Sequence, residues 1–295
     1  MRPTTPSPLF HRPGHGRHGL AAWIALPAEP GPDPTPLVAV HGIRRGAREQ
    51  AAAFADRATA LGRPVIAPEF DAARWPLYQQ AVRRGRADLA LLELMAELRL
   101  AGIWRTARFE LFGYSGGAQF AHRFAMLHPH LLRRLSLAAA GWYTFPDAAP
   151  FPYGLGPRGA EGTDWGAMAS ARLAEFLALA ATVVVGEDDD RPDEHTRRGE
   201  AIDRQQGTNR RARAGAWVAA LGRAAAVRGL PAPALRLRVL PGSGHDFTEC
   251  MERGGLGALV LGAPAADGCD GECRQCDRAR PSLADRSDRD DRSHR

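Results

Sequence analysis

Lysine is absent from all 295 residues, so the formal net charge of +6 rests on arginine alone as the basic residue. Together with the heavy use of alanine, glycine and proline, this reads as a compositional habit rather than a binding surface. Acidic residues are interspersed with the arginines and no stripe of basic and aromatic residues is present, so nucleic acid is not an expected partner. An apolar run of about 20 residues, the length that crosses a bilayer, is missing too, and no membrane partner is expected. The opening residues Met1-Arg2-Pro3-Thr4-Thr5-Pro6 lack the apolar stretch of a secretory signal, which makes the cytoplasm the expected location. Only four cysteines occur, and in that compartment they stay reduced.

What is there is enough for one large core, since a chain of this length buries about 75% of its unfolded surface. The stretch that organises it is Phe109-Glu110-Leu111-Phe112-Gly113-Tyr114-Ser115-Gly116-Gly117. A short apolar segment runs into Gly-x-Ser-x-Gly and then into the helical pattern Ala118 to Leu127. This predicts a strand, a sharp turn and a helix, with Gly113 and Gly117 permitting close packing. The free N–H groups and positive dipole end of that helix face the Ser115 oxygen, and the N–H of Gly116 is a natural donor to an oxyanion.

Two further strand-then-loop signals follow in chain order. Ala181 to Val185 leads into Gly186-Glu187-Asp188-Asp189, and Leu235 to Leu240 leads into Gly242-Ser243-Gly244-His245-Asp246. Nucleophile, acid and histidine, each after a strand, is the order in which an α/β-hydrolase presents its triad, and from about Leu20 to Leu261 the chain resembles that superfamily. The resemblance implies an α/β fold: a mostly parallel central sheet with helices on both faces. It also implies Ser115, Asp189 and His245 as nucleophile, acid and base. The family's Gly-x-x-Asp spacing points to Asp189, with Asp188 as the alternative.

Other segments fit that frame. Gly19 to Leu26 reads as an edge strand and Leu37-Val38-Ala39-Val40 as a strand buried on both faces. The His41-Gly42 pair after it resembles the family's second oxyanion loop, which implies the N–H of Ile43, or of its neighbour Arg44, as a donor. Ala51 to Leu61, Ala87 to Leu100 and Arg211 to Val227 have helical spacing, and Pro64 to Ala67 reads as a strand. The His-Gly-x-x-Arg pattern with Arg74-Trp75-Pro76-Leu77-Tyr78 resembles bacterial polyester depolymerases and their esterase relatives. Gly141 to Trp165 holds Trp142, Tyr143, Phe145, Phe151, Tyr153 and Trp165. It is expected to be a lining loop at about 141–166, with Trp142, Tyr143 and Tyr153 against the acyl group. The charged run from Asp190 to Arg213 is expected to be solvated.

The ends read differently. Residues 1–18 are expected to be a flexible leader, the domain runs over 19–262, and the charged tail 263–295, with few apolar residues to bury, is expected to be disordered. Cys269, Cys273 and Cys276 match the iron–sulfur spacing of radical S-adenosylmethionine enzymes, but those place the motif at the start of a barrel and here little chain follows it. A metal site would need a fourth ligand such as Cys250. The function expected is therefore a cofactor-free and metal-free serine hydrolase of small or oligomeric carboxylic esters. Two alternatives stand beside it: a non-catalytic binding module on the same fold, and a peptidase or amidase using the same triad. The sequence leaves the oligomeric state open.

Overall fold

The computed structural model describes residues 8–157 and 162–262. Cys269, Cys273, Cys276 and the rest of 263–295 lie outside the described residues, as do the first seven residues of the expected leader. The remainder of that leader is not free chain. Leu9–Arg12 forms β1, paired antiparallel with β2 (Ala21–Ala25), and His11 and His18 hydrogen-bond the carboxylates of Glu69 and Glu93 at 3.0 and 2.7 Å. The short apolar pair Leu9-Phe10 gives too weak a period to mark a strand. Its consequence is that β2 lies one place in from the edge.

Six further strands complete one sheet: β3 (Leu37–Val40), β4 (Val65–Glu69), β5 (Phe109–Tyr114), β6 (Leu132–Ala138), β7 (Ala181–Gly186) and β8 (Leu235–Leu240). The order is β1-β2-β4-β3-β5-β6-β7-β8, antiparallel at the first two pairings and parallel thereafter. The interior strands are largely apolar because both faces are covered, β3 without interruption, and the alternation of side chains divides them between two cores. Val38, Val40, Leu111, Leu135, Leu137 and Val183 point to one core. There they meet α2 (Ala87–Leu100), α3 (Gly116–Leu127) and α7 (Arg210–Val227). Leu37, Ala39, Phe112 and Val184 point to the other, against α1 (Ala47–Ala60) and the C-terminal helices. Among the described residues no helix is long and apolar enough to cross a membrane.

Helix α1 shows how sequence sets these elements. Gln50, Ala51, Phe54, Ala55 and Ala58 are buried, the one-face spacing of a 3.6-residue period. Burying Phe54 alone contributes about 2 kcal/mol. The helix stops at Gly62, whose φ of 65° suits glycine, and the N–H groups of Gly62 and Arg63 satisfy the carbonyls of Thr59 and Ala58 at 2.9 and 2.8 Å. Shorter helices fill the connections: α4 (Trp165–Ala171), α5 (Leu173–Leu177) and α6 (Glu200–Gln206). After β8 come α8 (Phe247–Glu252) and α9 (Leu256–Leu261), separated at Gly254-Gly255.

Candidate active site

The candidate residues Ser115, Asp189 and His245 each sit just past the end of a parallel strand. Ser115 leaves β5 at φ 52°, ψ −110° and starts α3, with its own N–H fastened to Ala138 O of β6 at 2.8 Å. The flanking glycines are required by close approach: a Cβ on Gly113 would lie 2.2 Å from Gly117 O, and one on Gly117 2.1 Å from Val40 O. Three backbones thus meet at the turn, and no side chain fits between them.

The loops after β7 and β8 are joined to each other. Glu187 N–H donates to Leu240 O at 2.9 Å, Asp188 N–H to Ser243 O at 3.0 Å, and Gly242 N–H to the Glu187 carboxylate at 3.1 Å. This brings Asp189 and His245 together. His245 Nδ1 lies 2.9 Å from Asp189 Oδ2 and its Nε2 lies 3.1 Å from Ser115 Oγ. With the carboxylate accepting at Nδ1, the proton is on that nitrogen and Nε2 is left to accept from the serine hydroxyl. The ring is also stacked on Tyr114, centroids 5.4 Å apart and planes 22° from parallel. Of the two candidate acids, Asp189 is buried and faces His245, whereas Asp188 points to solvent.

The amide nitrogen of Ile43 lies 3.1 Å from the place a Cβ on Gly116 would occupy, so the Ile43 and Gly116 backbones border one small space beside Ser115. His41 holds that loop. Its Nε2 accepts from Phe70 N–H at 3.2 Å, which leaves Nδ1 to donate to Gly42 O at 2.9 Å. Burial pushes the His41 pKa down to about 4, so the ring is neutral at neutral pH and keeps this tautomer. Tyr78, which the sequence marked only as part of a pattern, donates its hydroxyl to His41 O at 2.7 Å. The cavity at Ser115 holds about 280 Å³ and is lined by Ile43, Arg44, Arg45, Asp193, His195 and His245, among others.

Trp142, Tyr143 and Tyr153 do not line this cavity, and their expected role is corrected. Tyr143 is fully buried and stacked on Trp217 of α7 at 4.7 Å, with its N–H and C=O both taken by Gln206. Trp142 is 6% exposed, covered by the Arg123 guanidinium at 4.0 Å and packed on Tyr153 at 4.8 Å. The segment folds back on itself, Phe145 N–H bonding Tyr153 O at 2.8 Å, because its aromatic area is better covered by α3 and α7 than by an open cleft. Tyr153 faces a separate groove of about 540 Å³ with Pro150, Arg197 and Ile202. The charged run is also less solvated than expected: Arg210 and Arg213 are buried.

No protein-family model matches the chain, and no curated protein sequence does either. Solved structures do. A poly(3-hydroxybutyrate) depolymerase from Bordetella parapertussis is 28% identical with a TM-score of 0.71, covering 86% of this chain and 89% of that one. A poly(aspartic acid) hydrolase from a Sphingomonas species is 24% identical at a TM-score of 0.72, covering 86% and 98% of the two chains. A fluorophosphonate-binding serine hydrolase of Staphylococcus aureus shares 11% identity over 87% and 98%, at a TM-score of 0.57. The chain has the α/β-hydrolase fold. In this fold Ser115, Asp189 and His245 follow β5, β7 and β8, and the polyester-depolymerase resemblance extends to structure.

Three groups around His245 were not legible in the sequence. Arg210 lies behind Asp189, and Asp193 and His195 lie at the cavity wall within a run that gave only a charge signal. Burial raises the Asp193 pKa, but hydrogen bonds from Arg210 and Thr196 outweigh it and hold the carboxyl well below the usual range. Burial also pushes the Tyr114 hydroxyl up, and the Cys250 thiol up to about 12, so both neighbours of the site stay neutral.

Proposed function

We propose that this chain hydrolyses carboxylic esters through Ser115, His245 and Asp189. The observation that carries the reading is the continuous Ser115 Oγ to His245 to Asp189 chain of hydrogen bonds, at 3.1 and 2.9 Å, beside the Ile43 and Gly116 backbones. His245 Nε2 takes the hydroxyl proton as Ser115 Oγ attacks the carbonyl carbon. Asp189 keeps Nδ1 protonated and stabilises the imidazolium that forms. The N–H groups of Ile43 and Gly116 receive the charge developing on the carbonyl oxygen, each worth about 10²–10³ in rate at comparable sites. The imidazolium then protonates the leaving alkoxide. Water attacks the acyl-serine with His245 as base, and Ser115 is regenerated. Every proton is accounted for by these groups, and the reaction calls on no metal or cofactor.

The substrate class follows from the likeness to a polyester depolymerase and from the cavity, whose modest size and charged rim suit short acyl groups better than a fatty tail. Each methylene that the cavity accepts adds about 0.8 kcal/mol, so kcat/KM rises several-fold per carbon and then turns over. A cytoplasmic setting belongs to the same reading.

The test is labelling by a fluorophosphonate probe together with a series of p-nitrophenyl esters and matched anilides. The expected result is label on Ser115, lost in Ser115→Ala, with ester turnover well above anilide turnover. Anilide turnover exceeding ester turnover replaces the reading with an amidase. Absence of both label and turnover in the wild type replaces it with a binding module.

A further inference from the structure

Arg210 is the first residue of α7, after the Asn209 cap whose side chain accepts from Ala212 N–H at 2.8 Å. Its guanidinium is 2% exposed and lies between two carboxylates. Nη1 donates to Asp189 Oδ1 at 3.1 Å, the oxygen that His245 does not use, and Nη2 donates to both Asp193 oxygens at 2.9 Å. Asp193 is held in turn by Thr196 Oγ at 2.7 Å and His195 N–H at 3.0 Å. The His195 ring accepts from Arg44 at 3.2 Å, one residue beyond Ile43. A single buried cation therefore connects the acid behind His245 to the loop that walls the cavity.

We propose that Arg210 is a positioning residue that aims the Asp189 carboxylate at His245 and divides its own charge between Asp189 and Asp193, so that Asp193 governs how strongly His245 holds a proton. The proposal rests on the hydrolase reading given above. A lone arginine against Asp189 would cancel the charge that the imidazolium needs. With Asp193 present, the three groups together carry one negative charge, as Asp189 would by itself, yet the carboxylate gains a fixed donor on its far oxygen. Two chemical functions, orientation and charge, are thereby separated onto two residues.

The other charged or titratable groups facing His245 do not imitate this behaviour. Tyr114 of β5 and Cys250 of α8 are held neutral by burial. Glu49 of α1, Arg44 and Arg45 after β3, and Asp246 after β8 border the same space, and Glu249 of α8 accepts from Gly244 N–H; of these only Arg44, bonded to the His195 ring, is touched by a substitution below. His195 lies near as well, and His195→Gln is the control for its titration.

The experiment compares the full-length wild type with Arg210→Gln, Arg210→Lys, Asp193→Asn and His195→Gln. It records kcat/KM for p-nitrophenyl acetate from pH 5 to 9 and the melting temperature of each variant. Loss of the cation leaves two carboxylates near the imidazole, so Arg210→Gln should move the acidic limb up by about one pH unit and lower kcat about 10–100-fold. Loss of the second anion leaves the cation partly uncompensated, so Asp193→Asn should move the limb the other way, by about half a unit to one unit. Arg210→Lys should keep the limb near the wild-type position while kcat falls, because one ammonium cannot span both acids. Shifts in the same direction, or no shift in folded Arg210→Gln and Asp193→Asn, would overturn the proposal. Where Arg210→Gln fails to fold, Asp193→Asn decides alone, since its side chain is 39% exposed and tolerates exchange. The same opposed shifts should appear in the NMR titration of the His245 ring in Ser115→Ala. That readout needs no turnover, so failure of the esterase reading and failure of this proposal are told apart.

Discussion

The hydroxyl of Tyr78 donates to the carbonyl oxygen of His41 at 2.7 Å while the Arg45 guanidinium covers the same ring at 4.7 Å. The Tyr78 oxygen also lies 2.9 Å from the place a Cβ on Gly116 would take, so one side chain touches both halves of the space bordered by Ile43 and Gly116. Tyr78→Phe removes the tie and leaves the ring. A hydrogen bond of this kind is worth about 1 kcal/mol, so kcat should fall about 5–10-fold with KM nearly unchanged. Steady-state kinetics on a short ester check this, and a change confined to KM contradicts it.

The acid gives a sharper contrast. Asp189→Asn should lower kcat about 10⁴-fold, because an amide at that place favours the wrong imidazole tautomer. Asp188→Asn should stay within about twofold, as its side chain points to solvent and only its N–H, which the substitution keeps, bonds the neighbouring loop. Equal losses in the two variants would remove Asp189 from its assigned role.

The aromatic segment yields a stability effect rather than a specificity effect. Trp142 is almost wholly covered by Arg123 and Tyr153, so Trp142→Ala should cost about 3–5 kcal/mol of folding stability. It should scale all esters alike per folded molecule. Denaturant unfolding beside a chain-length profile checks both halves. A flattened profile at unchanged stability would return the residue to the acyl pocket.

Acid sensitivity begins above the carboxylate range. His41 drops from 6.5 to about 4 on folding, and His122, fully buried, is held well below 6.5 by burial and by Arg123. Below pH 6.5 the unfolded chain binds protons that the folded chain refuses, so stability is full above that pH and is lost as pH falls toward 4. For His41 the loss is about 3 kcal/mol. Asp193 is depressed instead, and its contribution is lost only as pH falls below the ordinary carboxylate range. Urea unfolding at intervals from pH 7.5 to 4 should therefore show a falling midpoint. A flat profile would mean that neither histidine is held neutral.

The central strands and the serine turn were legible because they are local. Leu37 to Val40 is apolar without interruption, and Gly113 and Gly117 mark a turn whatever surrounds it. Asp189 follows a second mostly apolar strand, and His245 follows one in which leucine alternates with arginine, so both loops could be placed from the sequence. Arg210 could not, since nothing in a run of arginines and aspartates says which cation the fold will bury between two acids. Trp142 and Tyr143 misled for a related reason: an aromatic cluster shows that area will be covered, while α3 and α7 decide by what. Leu9–Arg12 went unread because a four-residue edge strand depends on its partner more than on its own pattern.

Ser115 occupies a backbone region that costs a residue with a side chain about 1–3 kcal/mol. Ser115→Gly removes that cost together with the proposed nucleophile. The variant should then melt a few degrees higher than the wild type, which calorimetry can measure. Wherever selection for turnover lapses, this one codon is where durability and reactivity part company. A descendant drifting toward greater robustness would lose the reaction first at the turn that now presents it.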